Sequence, residues 1–184
     1  MSKFFSLKIC GLTRDLPIKP ISKNTSLANF NILGDVELIQ AITKKLAPKL
    51  KEYDFDYLVG PEVKVVPLIH ELSLALDKKK YVICRKSVKP YMVNPIKLKP
   101  MAHFPKHVKQ LVIDGRDADL LRNKRVAIVD DVVSTGVTMR MIDKLMEEVE
   151  TEVVLHASAI RQSKNQFDEI KNFIYLSELP IFKD

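Results

Sequence analysis

Two adjacent aspartates, Asp130 and Asp131, stand between the apolar run Val126-Ala127-Ile128-Val129 and the turn-like stretch Val132-Val133-Ser134-Thr135-Gly136-Val137-Thr138. Four consecutive apolar residues read as a strand buried on both faces, so the two acids are expected at its C-terminal edge, within reach of a ligand. Carboxylates there can accept from sugar hydroxyls or share a cation. The stretch that follows offers hydroxyls from Ser134, Thr135 and Thr138. It also offers a glycine, Gly136, that lets backbone approach a phosphate, and unpaired N–H groups where a helix begins. The combination is an anion cradle beside two hydroxyl acceptors. Other readings of the acids are a pair that caps the next turn, or a metal-binding pair, which would want aspartates on separate strands.

This thirteen-residue segment resembles the phosphoribosyl pyrophosphate motif of the type I phosphoribosyltransferases, and the whole chain resembles their adenine-type branch. The resemblance implies transfer of a phosphoribosyl group to a purine base with Mg2+, and it assigns roles by position. Asp130 and Asp131 take the ribose hydroxyls and the metal, and Val133, Ser134, Thr135, Gly136, Val137 and Thr138 take the 5-phosphate. Val137 stands where many members carry a second glycine. Gly60-Pro61-Glu62-Val63-Lys64 follows an apolar run and opens a helix. It resembles the loop that contacts pyrophosphate, which places Glu62, Val63 and Lys64 there. Arg85-Lys86 resembles the Arg-Lys pair of adenine-type members, where arginine can grip phosphate with two parallel donors.

Residues 87–109 hold Lys89, Lys97, Lys99, Lys106 and Lys109 with His103 and His107, and no acid. A long unpatterned stretch inside a compact domain is usually functional or disordered. Family members close a flexible loop over the site at this place, so residues 86–110 are expected to be that loop, its lysines favouring an anionic leaving group. Adenine-specific members carry a glutamate in it, whereas this chain reads His103-Phe104-Pro105-Lys106-His107. Either His103 or His107 acts as the proton-transfer group, or the base is not adenine.

The elements that must position these groups alternate. Asp35 is placed to cap a helix whose core stripe is Leu38, Ile39, Ile42, Leu46 and Leu50, with Pro48 ending or bending its last turn. Strands are expected at residues 57–60, 81–85, 111–114, 125–130, 152–160 and 173–176, and helices at residues 63–76 and 138–149. A polar turn or helix is expected up to about Lys171. Short apolar strands between helices imply an α/β fold with a parallel sheet covered on both faces. The first 33 residues, with Pro17, Pro20 and a polar cluster from Ser22, read as an irregular lid or short hairpin. In the family, the N- and C-terminal segments form a hood over the base. Here those are Arg14 to Ile18 and Leu179 to Phe182, with Phe30 or Phe182 able to stack on a ring or to plug the core.

With 184 residues, 46% of them apolar, the chain is long enough for one core, and a single domain over residues 1–184 is expected. A net charge of +7 fits a phosphorylated substrate as well as nucleic acid. No helix-turn-helix signature is present, so DNA is not expected as a partner. Cys10 and Cys84 are too few and too distant for a disulfide framework or a zinc site. His70, on an apolar helix, is given no role. No stretch reaches about 18 apolar residues, so a cytoplasmic protein without a membrane span is expected. Family members are commonly dimers, and a homodimer is expected. The competing class is a regulator that binds phosphoribosyl pyrophosphate without turnover, or an RNA-binding relative of the fold.

Overall fold

The structure is a computed structural model, and it describes residues 3–100, 110–162, 170 and 172–183. The chain opens with three antiparallel strands, β1 (Phe4–Ile9), β2 (Leu12–Ser22) and β3 (Thr25–Ala28). It continues through α1 (Val36–Leu50), β4 (Tyr57–Pro61), α2 (Val66–Ala75), β5 (Tyr81–Cys84), β6 (Ile96–Leu98), β7 (Leu111–Ile113) and α3 (Gly115–Leu121). It then runs through β8 (Arg125–Val133), α4 (Val137–Glu148), β9 (Glu152–Gln162), β10 (Phe173–Leu179) and β11 (Ile181–Lys183).

Five strands form a parallel sheet in the order β10-β9-β8-β4-β5. β8 lies at its centre because Val126, Ala127, Ile128 and Val129 are all fully buried, which only a strand covered on both faces allows. Alternate residues serve opposite faces. Ala127 and Val129 pack with Ile42 and Leu46 of α1 and Leu68 and Ile69 of α2. Val126 and Ile128 pack with Leu121 of α3 and Ile142 and Leu145 of α4. The expected parallel α/β sheet flanked by helices is the architecture found.

The first 33 residues depart from the expected lid or short hairpin. They build three regular strands, and β11 from the chain's other end joins β3 to complete a four-stranded sheet in the order β1-β2-β3-β11. The hood expected from the two termini therefore exists as a sheet. Prolines hid its strands from a reading by period, yet Pro17 still uses its carbonyl to accept from Asn29 N, and Pro20 sits at the register shift between β2 and β3. The inner face of the hood, Leu7, Ile9, Leu16, Ala28 and Phe30, is continuous with the core under α1.

Other boundaries shift for identifiable reasons. α2 starts at Val66, three residues later than expected, because Pro67 lies in its first turn and leaves residues 62–65 as a turn. α1 runs past Pro48 to Leu50, capped by Asp35, whose side chain accepts from Leu38 N. β5 stops at Cys84, and Arg85 instead exchanges two backbone hydrogen bonds with Val112. The segment from residue 86 holds a strand that was not expected, β6, paired antiparallel with β7. Seven-residue α3 escaped notice because it buries only Ala118 and Leu121, too few for a period. β9 and β10 run to Gln162 and Leu179, so Arg161 and Gln162 extend β9 where a turn or helix was expected, and residues 163–169 and 171 of that stretch lie outside the described residues.

Candidate active site

The aspartate pair does not stand at an exposed strand tip. β8 continues to Val133, so Asp130 and Asp131 lie within the strand and are 8% and 7% exposed. Asp131 N donates to Asp130 Oδ1 at 2.8 Å, and Asp131 Oδ2 is buried with no hydrogen-bond partner among the described residues. Burial pushes the Asp130 carboxyl well above the usual carboxylate range, and the neighbouring Asp131 charge adds to the shift. Lys86, on the other hand, draws it down. Two adjacent acids short of donors form an acceptor site that sugar hydroxyls or a cation would satisfy.

The cradle follows directly. Gly136 is the residue before α4 and sits at φ +70°, a left-handed conformation that glycine adopts without strain. A Cβ there would also lie 2.9 Å from Ile170 Cδ1. Among the described residues no side chain caps α4, which leaves its first N–H groups to an anion. Asp130 and residues 132–139 line a cavity of 120 Å³, with Thr135 and Thr138 exposed at its mouth.

Gly60 brings β4 close against its neighbours: a Cβ there would lie 2.5 Å from the Val129 carbonyl and overlap Ile69. The turn after β4 carries Glu62, Val63 and Lys64, and the Glu62–Val63 peptide is cis. Glu62 is an organiser: Oε1 accepts from Lys86 N at 2.7 Å, and Oε2 lies 3.1 Å from Arg85 Nε in an ion pair too bent to count as a hydrogen bond. Arg85 also donates from Nη2 to the Tyr91 hydroxyl at 3.1 Å. This carboxylate thus gathers Arg85 and Lys86 beside the sheet end where Asp130 lies. Val63 is exposed, and Lys64 turns toward the hood, its Nζ donating to the Phe30 carbonyl at 3.3 Å.

A second cavity, of 390 Å³, opens between the hood and the sheet. Ile21, Leu27 and Phe30 form its apolar side, and Lys19, Lys64 and Gln162 are polar side chains on it. Val132 lines both cavities, so the two adjoin at the end of β8. Phe30 reaches this space, whereas Phe182 packs edge-to-face on Phe5 with ring centroids 5.8 Å apart and plugs the hood. Arg14 is engaged elsewhere, paired with Asp35 at 2.8 Å and Glu37 at 2.7 Å.

His103 and His107 lie outside the described residues. The start of their segment is tied down. Asp114 Oδ1 accepts from Val93 N at 3.4 Å, Gly115 N donates to Val93 O at 2.9 Å, and Arg116 Nη2 donates to the Tyr91 carbonyl at 3.1 Å. The Arg116 guanidinium holds the Asp114 carboxyl down at about 2. His70 is exposed and meets the Tyr81 ring edge-to-face. Among the described residues no cluster of three or more His, Cys, Asp or Glu side chains could hold a metal unaided. No described helix is long and apolar enough to cross a membrane. Lys19, Asn29, Gln162 and the Asp114 anchor were missed by sequence reasoning, since no motif marks them.

Comparison with known proteins agrees with this geometry. The family model for the phosphoribosyl transferase domain matches residues 31–183. Adenine phosphoribosyltransferase of Thermosipho africanus is 30% identical over 153 residues, 83% of this chain and 80% of its own length. The enzyme of that name from Clostridium botulinum is 33% identical over 128 residues, 67% of this chain and 68% of its own. The crystal structure of adenine phosphoribosyltransferase from Thermoanaerobacter pseudethanolicus superposes with a TM-score of 0.72 at 21% identity, covering 89% of this chain and 95% of that one. That from Saccharomyces cerevisiae, crystallised with an imino-altritol bisphosphate and adenine, gives 0.68 at 19% identity, covering 88% and 93%. By the match over residues 31–183 and the 30% identity across most of both chains, the chain belongs to the phosphoribosyltransferase domain family, on its adenine phosphoribosyltransferase-like branch.

Proposed function

We propose that the protein transfers the phosphoribosyl group of phosphoribosyl pyrophosphate to a purine base, adenine first, and releases pyrophosphate, as an enzyme of purine salvage. The observation that carries this reading is the junction at the end of β8. There the acid pair, the uncapped start of α4 and a cavity under the hood meet within a few residues. In this reading residues 133–138 hold the 5-phosphate through backbone N–H and hydroxyl groups, and Asp130 and Asp131 hold the ribose hydroxyls. Arg85 and Lys86, gathered by Glu62, face the leaving pyrophosphate, and Lys64 swings to it from its contact with Phe30. The base lies flat in the cavity under the hood, with its attacking nitrogen directed at the ribose near Val132.

The residues present suit Mg2+. The unpartnered Oδ2 of Asp131 beside the Asp130 carboxyl supplies one or two anionic oxygens, the number Mg2+ takes from protein when substrate oxygens complete its shell. When bound, the metal would neutralise charge on the departing pyrophosphate. The residues of this chain then act by position and electrostatics: they orient the sugar, exclude water and hold the leaving group as positive charge develops at the anomeric carbon. The whole chain works as one domain, with residues 1–33 as the hood and 86–110 as the closing loop, and two copies pair as a homodimer. The free thiols of Cys10 and Cys84 suit a reducing, cytoplasmic setting.

The test is pyrophosphate release with Mg2+, phosphoribosyl pyrophosphate and each of adenine, guanine, hypoxanthine, xanthine and orotate. Adenine is expected to turn over fastest, and Asp130→Asn with Asp131→Asn is expected to abolish turnover while thermal unfolding stays cooperative. Silence across the panel, with donor binding intact, would make the protein a sensor. Replacing His103 and His107 by alanine decides their part: unchanged rates in both variants remove them from proton transfer.

A further inference from the structure

The cavity under the hood is lined by a polar group that no described residue satisfies. Gln162, the last residue of β9, is 5% exposed, lines the cavity beside Val132 and Lys64, and its Nε2 is buried without a hydrogen-bond partner among the described residues. The other polar side chains of the cavity are differently placed. Asn29 and Lys19 are exposed, and Lys64 already donates to the Phe30 carbonyl. β9 is held on both sides, with Gln162 opposite Leu179 of β10 and Arg161 opposite Val133 of β8, so its end cannot easily turn away. A buried amide donor without an acceptor is unfavourable, and a strand so well packed would tolerate a leucine there. The position is that of a group kept for an occupant.

We infer that Gln162 is a specificity-determining residue that reads the polar edge of the base. This rests on the reading that the cavity takes the base. A carboxamide presents a donor and an acceptor side by side. The edge of a purine that matches it carries a ring nitrogen next to a 6-amino group, the same complementarity by which Asn and Gln recognise adenine elsewhere. With the carboxamide turned toward the occupant, Nε2, which is covered while the cavity is open, donates to the ring nitrogen and Oε1 accepts from the amino group. Ile21, Leu27 and Phe30 supply the apolar surface the flat ring needs. A cavity built around such an amide discriminates strongly against a ring lacking the amino group, because Oε1 then loses its donor.

The experiment compares adenine with unsubstituted purine in the wild-type enzyme and in Gln162→Leu and Gln162→Glu, with thermal unfolding and the KM for phosphoribosyl pyrophosphate as controls. Gln162→Leu removes both hydrogen-bonding groups, and Gln162→Glu keeps the size and the acceptor but removes the donor, so one variant serves if the other fails to fold. Wild-type enzyme is expected to prefer adenine. In Gln162→Leu the KM for adenine should rise about tenfold to a hundredfold, with the KM for the sugar donor unchanged, and the preference over purine should collapse. In Gln162→Glu the KM for adenine should rise as well. An unchanged adenine-to-purine preference in a turning-over Gln162→Leu enzyme, or an unchanged KM for adenine in both variants, overturns the role of Gln162 and leaves the activity standing. No turnover of either base by wild-type enzyme overturns the activity, and the inference with it.

Discussion

Replacing Asp130 by asparagine should make the protein more stable and a poorer enzyme at once. Asp130 is buried, sits next to Asp131, and its carboxyl is pushed well above the ordinary range, first by burial and then by the neighbouring charge. A raised acid binds its proton more tightly in the folded chain than in the unfolded one. Its stabilising effect is therefore complete below the unfolded value, about 3.9, and is lost as pH rises through the folded value. Asparagine keeps the shape and can still accept from Asp131 N, which now donates to Asp130 Oδ1 at 2.8 Å, but it carries no charge at any pH. Each tenfold weakening of the Asp130 acid corresponds to about 1.4 kcal/mol recovered at neutral pH. For a chain of this length that is roughly 3–6 °C in the unfolding midpoint. The gap between variant and wild type should open as pH rises above about 4 and close below it. Loss of a charged acceptor for the ribose should lower kcat/KM about tenfold to a hundredfold. Mg2+ with phosphoribosyl pyrophosphate should raise the midpoint of the wild type much more than that of the variant. Thermal melts across pH 3 to 8, with and without ligands, read all of this. A variant that melts lower than wild type at pH 7, or keeps full turnover, refutes the argument.

Three further outcomes follow from packing. Gly115→Ala would place a Cβ 2.6 Å from the Val93 carbonyl and 2.7 Å from that of Asn94, so the anchored start of the loop must shift. A loss of about 1–3 kcal/mol in urea unfolding is expected, together with a higher KM for phosphoribosyl pyrophosphate. Cys84 is fully buried, and burial pushes its thiol up to about 12, so a thiol reagent at pH 8 should label at most Cys10 in the folded protein and both cysteines after denaturation. Asp35→Ala removes the cap on Leu38 N and should cost about 1 kcal/mol in unfolding free energy, whereas Asp35→Asn should cost less because it preserves the cap.

Residues near one another in the chain were the legible ones. The run from Val126 to Thr138 declares a buried strand, an acid pair and a glycine turn in consecutive positions, and all three form as one local unit. The Asp35 cap and the α1 stripe are legible for the same reason, because both lie within a few turns. The hood was expected from the resemblance, but its strands were not legible in the residues. β2 contains two prolines that break the pattern, its regularity depends on β1 and β3, and β3 in turn pairs with β11, more than 150 residues later. The acids' burial was also misjudged, because β8 is held open to Val133 by β9 rather than by its own residues.

Residue order sets the chemistry on offer: which acids, hydroxyls and cations exist, and which of them are forced together by covalent neighbourhood. What those groups face comes from packing between distant segments. It gave Glu62 the task of gathering Arg85 and Lys86, turned Lys64 toward the hood, and set Gln162, from the far end of the chain, against a cavity whose opposite wall begins near residue 19. The physical reason is reach: a hydrogen bond or a shared cavity wall is satisfied over a few ångströms of space, whatever the number of residues between its partners, and only the packed sheet fixes that distance.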